Sequence, residues 1–221
     1  MTEQHQQAPE PRAAREAAAR EPLLLVLATR NKNKLRELTS ILSDLPVRVE
    51  SIASFPGAPD VEETGATMAE NALLKARAAA RHTGLWAMAD DSGLEVDALD
   101  GRPGVYSARF AGPGATDADN NAKLLRLLEG VPDPRRTARF RCAIALVSPD
   151  GDEYVDEGVC EGVVAREPRG EGGFGYDPLF IVPEYGRTFA ELPPEVKDRI
   201  SHRARALAAA KRRLARLLGA G

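Results

Sequence analysis

The run Leu23-Leu24-Leu25-Val26-Leu27-Ala28 passes directly into Thr29-Arg30-Asn31, after which Leu35, Leu38, Ile41 and Leu42 recur at helical spacing until Pro46. Consecutive apolar residues without alternation suit a central strand covered on both faces. A strand that turns at once into a helix places a helix N-terminus at the end of a sheet. Its free N–H groups and positive dipole end attract anions there.

The rest of the chain alternates in the same manner. Val47 to Ser51 is a second strand, and 55–63, with two prolines and a glycine, is a loop. A helix over about 67–81 leads to a short strand, Trp86 to Asp90, which delivers Asp90-Asp91-Ser92-Gly93 at its C-terminal end. A helix over about 117–128 follows. Two long β segments, 139–147 and 153–164, are joined by Ser148-Pro149-Asp150-Gly151, a hairpin turn signal. A glycine-rich loop, 170–175, precedes a strand over 179–182 and a closing helix over 201–218, whose apolar stripe is Leu207, Leu214, Leu217 and Leu218. Strands and helices interrupted by a hairpin predict a mixed α/β protein rather than a purely parallel one.

Residues 1–21, rich in Ala, Gln, Arg, Glu and Pro, read as a disordered or loosely helical extension without the apolar stretch of a secretory signal, and Glu3, Glu10, Glu16 and Glu21 disfavour a transit peptide. The ordered domain is expected over 22–221. No apolar run approaches the roughly 20 residues of a membrane span. A formal charge of −3 gives no argument for a nucleic-acid duplex as partner, but leaves room for a small anion in a local basic pocket. Cys142 and Cys160 lie in apolar stretches without CxxC spacing, as reduced, buried residues of a cytosolic protein do.

Four segments carry candidate chemistry. Thr29-Arg30-Asn31-Lys32-Asn33-Lys34 is either a phosphate cradle or an N-capped helix with a solvated basic turn. Asp90 and Asp91 are either a turn or a pair in which one carboxylate ligates a metal and the other activates water. Gly170-Glu171-Gly172-Gly173-Phe174-Gly175 matches GxGxxG, but the following Tyr176-Asp177-Pro178 opens no helix, so a dinucleotide fingerprint is rejected. Such a loop instead lets backbone approach a base on which an aromatic ring stacks. His202 and Arg203 open the last helix, where positive charge is unfavourable unless an anion or polar ligand offsets it.

These blocks together, ATRNKNK, EETG with ENALLKA, ADDSGLEVDALDGRPGVYSARFAG, GGFGYDPLF and ISHRA, resemble the inosine triphosphate pyrophosphatase family, which acts on non-canonical purine nucleoside triphosphates. The resemblance covers about 23–218. It implies an elongated two-lobed α/β fold with the active site in the cleft between lobes, a homodimer, and Mg²⁺-dependent hydrolysis of ITP, dITP and XTP to monophosphate and pyrophosphate. By the same resemblance, Thr29, Arg30, Asn31, Lys32, Asn33 and Lys34 contact phosphates, and Asp91 is proton acceptor and Mg²⁺ ligand. Ser92 touches substrate; Phe174, Gly175, Tyr176 and Asp177 form the base pocket with Lys197, His202 and Arg203. Glu62 is the second metal-associated carboxylate, with Glu63 standing beside it. Lys34, with Lys75 or Arg109, would neutralise charge on the departing pyrophosphate. A regulatory module without turnover, a pyrimidine-directed pyrophosphatase and an NAD-dependent oxidoreductase are the rival readings.

Overall fold

The computed structural model describes residues 22–219, so the expectation for residues 1–21 lies outside the described residues. Its strands are β1 (Leu23–Leu27), β2 (Val47–Ser51), β3 (Trp86–Val96), β4 (Thr137–Val147), β5 (Glu153–Val164), β6 (Phe180–Val182) and β7 (Arg187–Thr188). Its α-helices are α1 (Lys32–Leu42), α2 (Met68–Thr83), α3 (Asp117–Leu127), α4 (Pro194–Ile200) and α5 (His202–Leu217). The strands form one seven-stranded sheet in the order β2-β1-β3-β4-β5-β6-β7. β1 pairs in parallel with β2 and β3, and every later pairing is antiparallel. The mixed α/β class is therefore as the sequence predicts.

β1 holds the interior place that its apolar run demands. Leu25 and Leu27 pack on one side with Leu38 and Leu42 of α1 and with Ala206, Leu207, Ala210 and Leu214 of α5. Val26 points to the other side, among Ala72, Ala76, Ala79 and Ala80 of α2. Each leucine fully withdrawn from water here contributes about 2 kcal/mol. The stripe on α5 keeps Leu207, Leu214 and Leu218 and adds Ala206 and Ala210, whereas Leu217 is 44% exposed.

A third core forms further along the same strands. Leu94 and Val96 of β3 and Phe140 of β4 pack with Phe180 of β6 and with Leu124 and Leu128, at and just beyond the end of α3. Two lobes thus share a continuous sheet. On β3 the changeover between their cores falls over 90–93.

The strand expected to stop at Asp90 in fact continues to Val96, which corrects the placement of the acidic pair at a strand end. Asp90 pairs with Ile144, Asp91 with Ala143, Ser92 with Cys142 and Gly93 with Arg141. β4 supplies an unbroken ladder, so the backbone stays extended whatever the side chains carry. β1, by contrast, accompanies β3 only to Met88. Beyond that point the N-terminus of α1 takes its place beside β3, where the chain bends away from the sheet.

Gly93 permits one more close approach. A side chain there would meet the Gly104 carbonyl oxygen, Ser107 Oγ and Met68 Cε. The 104–109 segment can therefore lie against β3, fastened by Ser107 Oγ, which accepts from Leu94 N at 2.9 Å.

Candidate active site

Successive strand residues face opposite sides of a sheet, and this separates the two aspartates. Asp90 faces α1 and α5. Its Oδ2 lies 3.0 Å from Lys34 Nζ and accepts from Arg203 Nε at 3.2 Å and Nη2 at 3.1 Å. Asp91 faces α2. It accepts from Asn71 Nδ2 at 3.3 Å and from Lys75 Nζ at 3.2 Å. The mutual repulsion expected of adjacent carboxylates is relieved by geometry as well as by cations.

Their protonation is tuned apart. Burial would raise the Asp90 carboxyl, but Lys34, Arg203 and Lys75 outweigh it and hold the group far below the usual carboxylate range. For Asp91, burial prevails, aided by Glu63, and the carboxyl is raised above its ordinary value despite Lys75 and Lys34. Opposed shifts in neighbouring acids separate a permanent anion from a better proton acceptor.

On the Asp90 side an ion-pair chain runs through the interior. Arg203 Nη1 donates to Glu37 Oε2 at 2.5 Å, Lys197 Nζ to Glu37 Oε1 at 3.1 Å, and Lys197 Nζ to Asp177 Oδ2 at 2.6 Å. Arg203 also donates to Ser92 Oγ at 2.9 Å. These contacts use every guanidinium N–H but one on Nη1. The offset expected for positive charge at the start of α5 is thus internal: Asp90 and Glu37 provide it. Glu37 is a site residue the sequence reading missed, because a Glu within an amphipathic helix looks like a surface charge.

On the Asp91 side, Lys75 Nζ also donates to Glu63 Oε1 at 2.7 Å, and Arg109 Nη1 to Glu63 Oε2 at 3.3 Å. Burial works against the charged form of Glu63, yet Lys75, Lys34 and Arg109 leave its carboxyl below the ordinary value. Lys75 is raised by Asp91, Asp90 and Glu63 against the opposing effect of burial.

Two cavities adjoin along this cluster and share Asn31, Lys34, Glu63 and Ala108. One, of about 310 Å³, is bounded by Thr29, Arg30, Lys75 and Asp90 among others. The second, of about 170 Å³, reaches from Asp91 and Ser92 to Phe174, Gly175, Tyr176, Asp177, Lys197, His202 and Arg203. Lys197 Nζ stands 4.6 Å from the Phe174 ring centroid. His202 is buried, stacks on Phe140 with ring centroids 4.6 Å apart, and has no hydrogen-bond partner at Nδ1. Burial, reinforced by Arg203 and Lys197, keeps its imidazole pKa well below the usual value, so the ring is neutral. Tyr176 donates its hydroxyl to Ser107 O at 2.8 Å and ties the two sides of this cavity together.

The structure does not gather all the predicted residues. Lys32 and Asn33 are exposed and line neither cavity. Asn31 caps α1, its side chain accepting from Asn33 N at 2.9 Å and Lys34 N at 3.3 Å. Arg30 is engaged with Asp60 and with Ala58 O. Glu62 is exposed and outside both cavities, whereas its neighbour Glu63 lines both. The glycine-rich loop leads into β6 and no helix, consistent with rejecting the dinucleotide fingerprint. Burial pushes the Cys142 thiol up to about 12 and Cys160 to about 11, so neither is a thiolate nucleophile.

Among the described residues no three His, Cys, Asp or Glu side chains converge as a metal cage. Asp91 and Glu63 do converge on one cation, Lys75. Two hard carboxylate oxygens with open space beside them fit Mg²⁺, which commonly completes its shell with water and substrate phosphates.

A family model described as the Ham1 family matches residues 25–213. The dITP/XTP pyrophosphatase of Desulforamulus reducens is 62% identical over 87% of this chain and 96% of its own length. That of Geobacter sulfurreducens is 61% identical over 85% and 94%. Among solved structures, a HAM1 protein from Coxiella burnetii superposes with a TM-score of 0.81 at 48% identity, covering 88% of this chain and 99% of that one. A nucleoside-triphosphatase, dITP/XTP pyrophosphatase, from Mycobacterium abscessus gives 0.71 at 50% identity, covering 85% and 98%.

Proposed function

The chain belongs to the Ham1 family, and from that premise we propose that it hydrolyses non-canonical purine nucleoside triphosphates, ITP, dITP and XTP, to the monophosphate and pyrophosphate at the cleft between its lobes. The observation that carries this reading is the junction of two unlike cavities at Asp90 and Asp91. One holds Arg30, Lys34 and Lys75 beside a helix N-terminus; the other is walled by aromatic rings.

The polyphosphate lies against Thr29, Asn31, Lys34 and the first turn of α1, where the positive end of the helix dipole and the Lys34 ammonium favour it. Asp91, with its raised pKa, accepts a proton from the attacking water. Asp90 stays ionised and holds Lys34 and Arg203 in place. Lys34, Lys75 and Arg109 offset the charge that grows as pyrophosphate departs. Mg²⁺ bound by Asp91 and Glu63 would supply further neutralisation of the phosphate oxygens. Glu63 takes the role first given to Glu62, since Glu63 alone of the two faces Lys75.

The base enters beside Phe174 and Tyr176. The remaining Nη1 hydrogen of Arg203 is a donor for a 6-oxo group, and the 6-amino group of ATP would leave it unpaired. Unpaired burial of the 2-amino donors, which hypoxanthine lacks and xanthine replaces by a 2-oxo acceptor, rejects GTP. We also assign the chain to the cytoplasm, which its buried free cysteines suit, and to a homodimer, to be measured by sedimentation.

Hydrolysis of ITP, XTP, dITP, GTP and ATP with and without Mg²⁺, resolving monophosphate and pyrophosphate from diphosphate and phosphate, tests the reading. Mg²⁺-dependent pyrophosphate release mainly from ITP, XTP and dITP supports it. Equal efficiency on GTP and ITP removes the selectivity argument, and binding without turnover replaces the enzyme by a regulatory module.

A further inference from the structure

The side chains of α3 hold both walls of the base cavity. Asn120 Oδ1 accepts from Ala111 N at 2.7 Å, and its Nδ2 donates to Ala108 O at 3.2 Å, which fixes the 108–111 side. On the opposite side, Asp117 Oδ2 accepts from Gly175 N at 2.7 Å, and Asn121 Nδ2 donates to Gly175 O at 2.9 Å. Residues 117 and 121 are one helical turn apart and share a face. They grip Gly175 at both its amide N–H and its carbonyl. Gly175 has a φ of 62°, the left-handed region, and links Phe174 to Tyr176.

Asn121 is only 8% exposed, yet its Oδ1 has no hydrogen-bond partner. An orphaned buried acceptor is destabilising, so packing alone would favour an apolar residue of this size. What the amide provides is the bond to Gly175. Asn121 lines the groove behind the glycine-rich loop and not the base cavity, so it touches the loop and not the substrate.

We propose that Asn121, assisted by Asp117, is a positioning residue that fixes the Phe174-Gly175 wall and thereby sets how tightly the purine is held. The proposal rests on the purine nucleotide reading above. Phe174 N donates to Asp177 Oδ2 at 2.9 Å and Tyr176 is tied to Ser107. The grip on Gly175 fixes the left-handed link between these two anchors, and without it the Phe174 ring shifts relative to the opposite wall at Ala108. The phosphate end, built on α1 and β3, does not depend on that grip.

Asn121→Leu removes the orphaned oxygen but leaves the Gly175 carbonyl without this donor, so the two effects on global stability offset. In steady-state assays it should raise the KM for ITP about tenfold, the worth of one hydrogen bond, while kcat stays within about threefold. Inhibition by pyrophosphate, which reports the phosphate end, should keep its Ki, and Tm should hold. Asp117→Ala should move KM the same way, and Asp117→Asn, which keeps an oxygen acceptor for Gly175 N–H, should recover most of the loss.

An unchanged KM in a folded Asn121→Leu protein overturns the proposal. So does a parallel rise of KM and pyrophosphate Ki with a lowered Tm, the mark of general loosening. Wild-type protein separates the two possible failures: absence of ITP turnover defeats the functional reading instead. Calorimetric ITP binding then decides the positioning role, which equal Kd values for wild type and Asn121→Leu would defeat.

Discussion

Asp90 and Asp91 are consecutive residues whose carboxylates lie on opposite faces of one strand, each with its own lysine: Lys34 for Asp90 at 3.0 Å and Lys75 for Asp91 at 3.2 Å. The pair divides two tasks that a single carboxylate could not serve at once. Asp90 stays charged and buried as a counter-ion, whereas Asp91 has its carboxyl raised above the ordinary value, as the proposed proton acceptor requires.

The two aspartates should therefore fail differently when made neutral. Asp91→Asn is expected to lower kcat by about 10²–10⁴-fold, the usual worth of a general base, with Tm nearly preserved. Asp90→Asn strands Arg203 and Lys34 and should cost about 3–5 kcal/mol of stability, the penalty for breaking a buried ion pair. Parallel kinetics and denaturant unfolding check both, and equal loss of stability in the two variants would contradict the division.

The carboxylates of the preceding loop offer a second contrast. Glu63→Gln should raise the Mg²⁺ concentration needed for half-maximal rate by about tenfold or more, the order found when a supporting ligand is lost. Glu62→Gln should leave that requirement nearly unchanged, because Glu62 is exposed and outside the cavities. Mg²⁺ titrations of initial rate decide between them, and chelation of Mg²⁺ should abolish turnover in the wild type.

Stability should also carry the signature of His202. Its imidazole pKa is depressed by burial, Arg203 and Lys197 in the folded chain, whereas the unfolded chain titrates near the ordinary value of about 6.5. Below that pH the unfolded state binds a proton that the native state refuses. Stability is then full above about pH 6.5 and falls by up to about 1.4 kcal/mol per unit as the pH drops toward the lowered folded value. Denaturant unfolding of wild type and His202→Phe between pH 7 and 5.5 measures this. The variant retains a ring to stack on Phe140 and should lose most of the slope.

Phe174→Ala should weaken the base end alone. Loss of base stacking, worth about 1–3 kcal/mol, raises the KM for ITP by roughly 5- to 150-fold, while pyrophosphate inhibition stays as in the wild type. A matching rise in both constants would place Phe174 in general support of the fold.

Much of this architecture is legible in local patterns, and the exceptions share a cause. The run before Thr29 predicts a strand buried on both sides, and Ser148-Pro149-Asp150-Gly151 marks the hairpin between β4 and β5, because each signal is complete within a few residues. The continuation of β3 through Asp90 and Asp91 is not, since the cations that make those carboxylates tolerable come from Lys34, Lys75 and Arg203. Glu37 reads as a solvated helix charge until α5 brings Arg203 against it. The choice between Glu62 and Glu63 is likewise invisible locally, because only the path of the loop past Lys75 decides which one turns inward.

Lys34 and Glu37 lie three residues apart on α1, the first against Asp90 and the second against Arg203 and Lys197. One stiff element thus reaches Asp90 with one side chain and the Arg203 and Lys197 cluster with another, so these two parts of the cluster are held in one rigid piece. Descendants of such a chain cannot drift in one without disturbing the other. Substitutions confined to the glycine-rich loop and α3, by contrast, leave the Lys34 to Asp90 contact untouched.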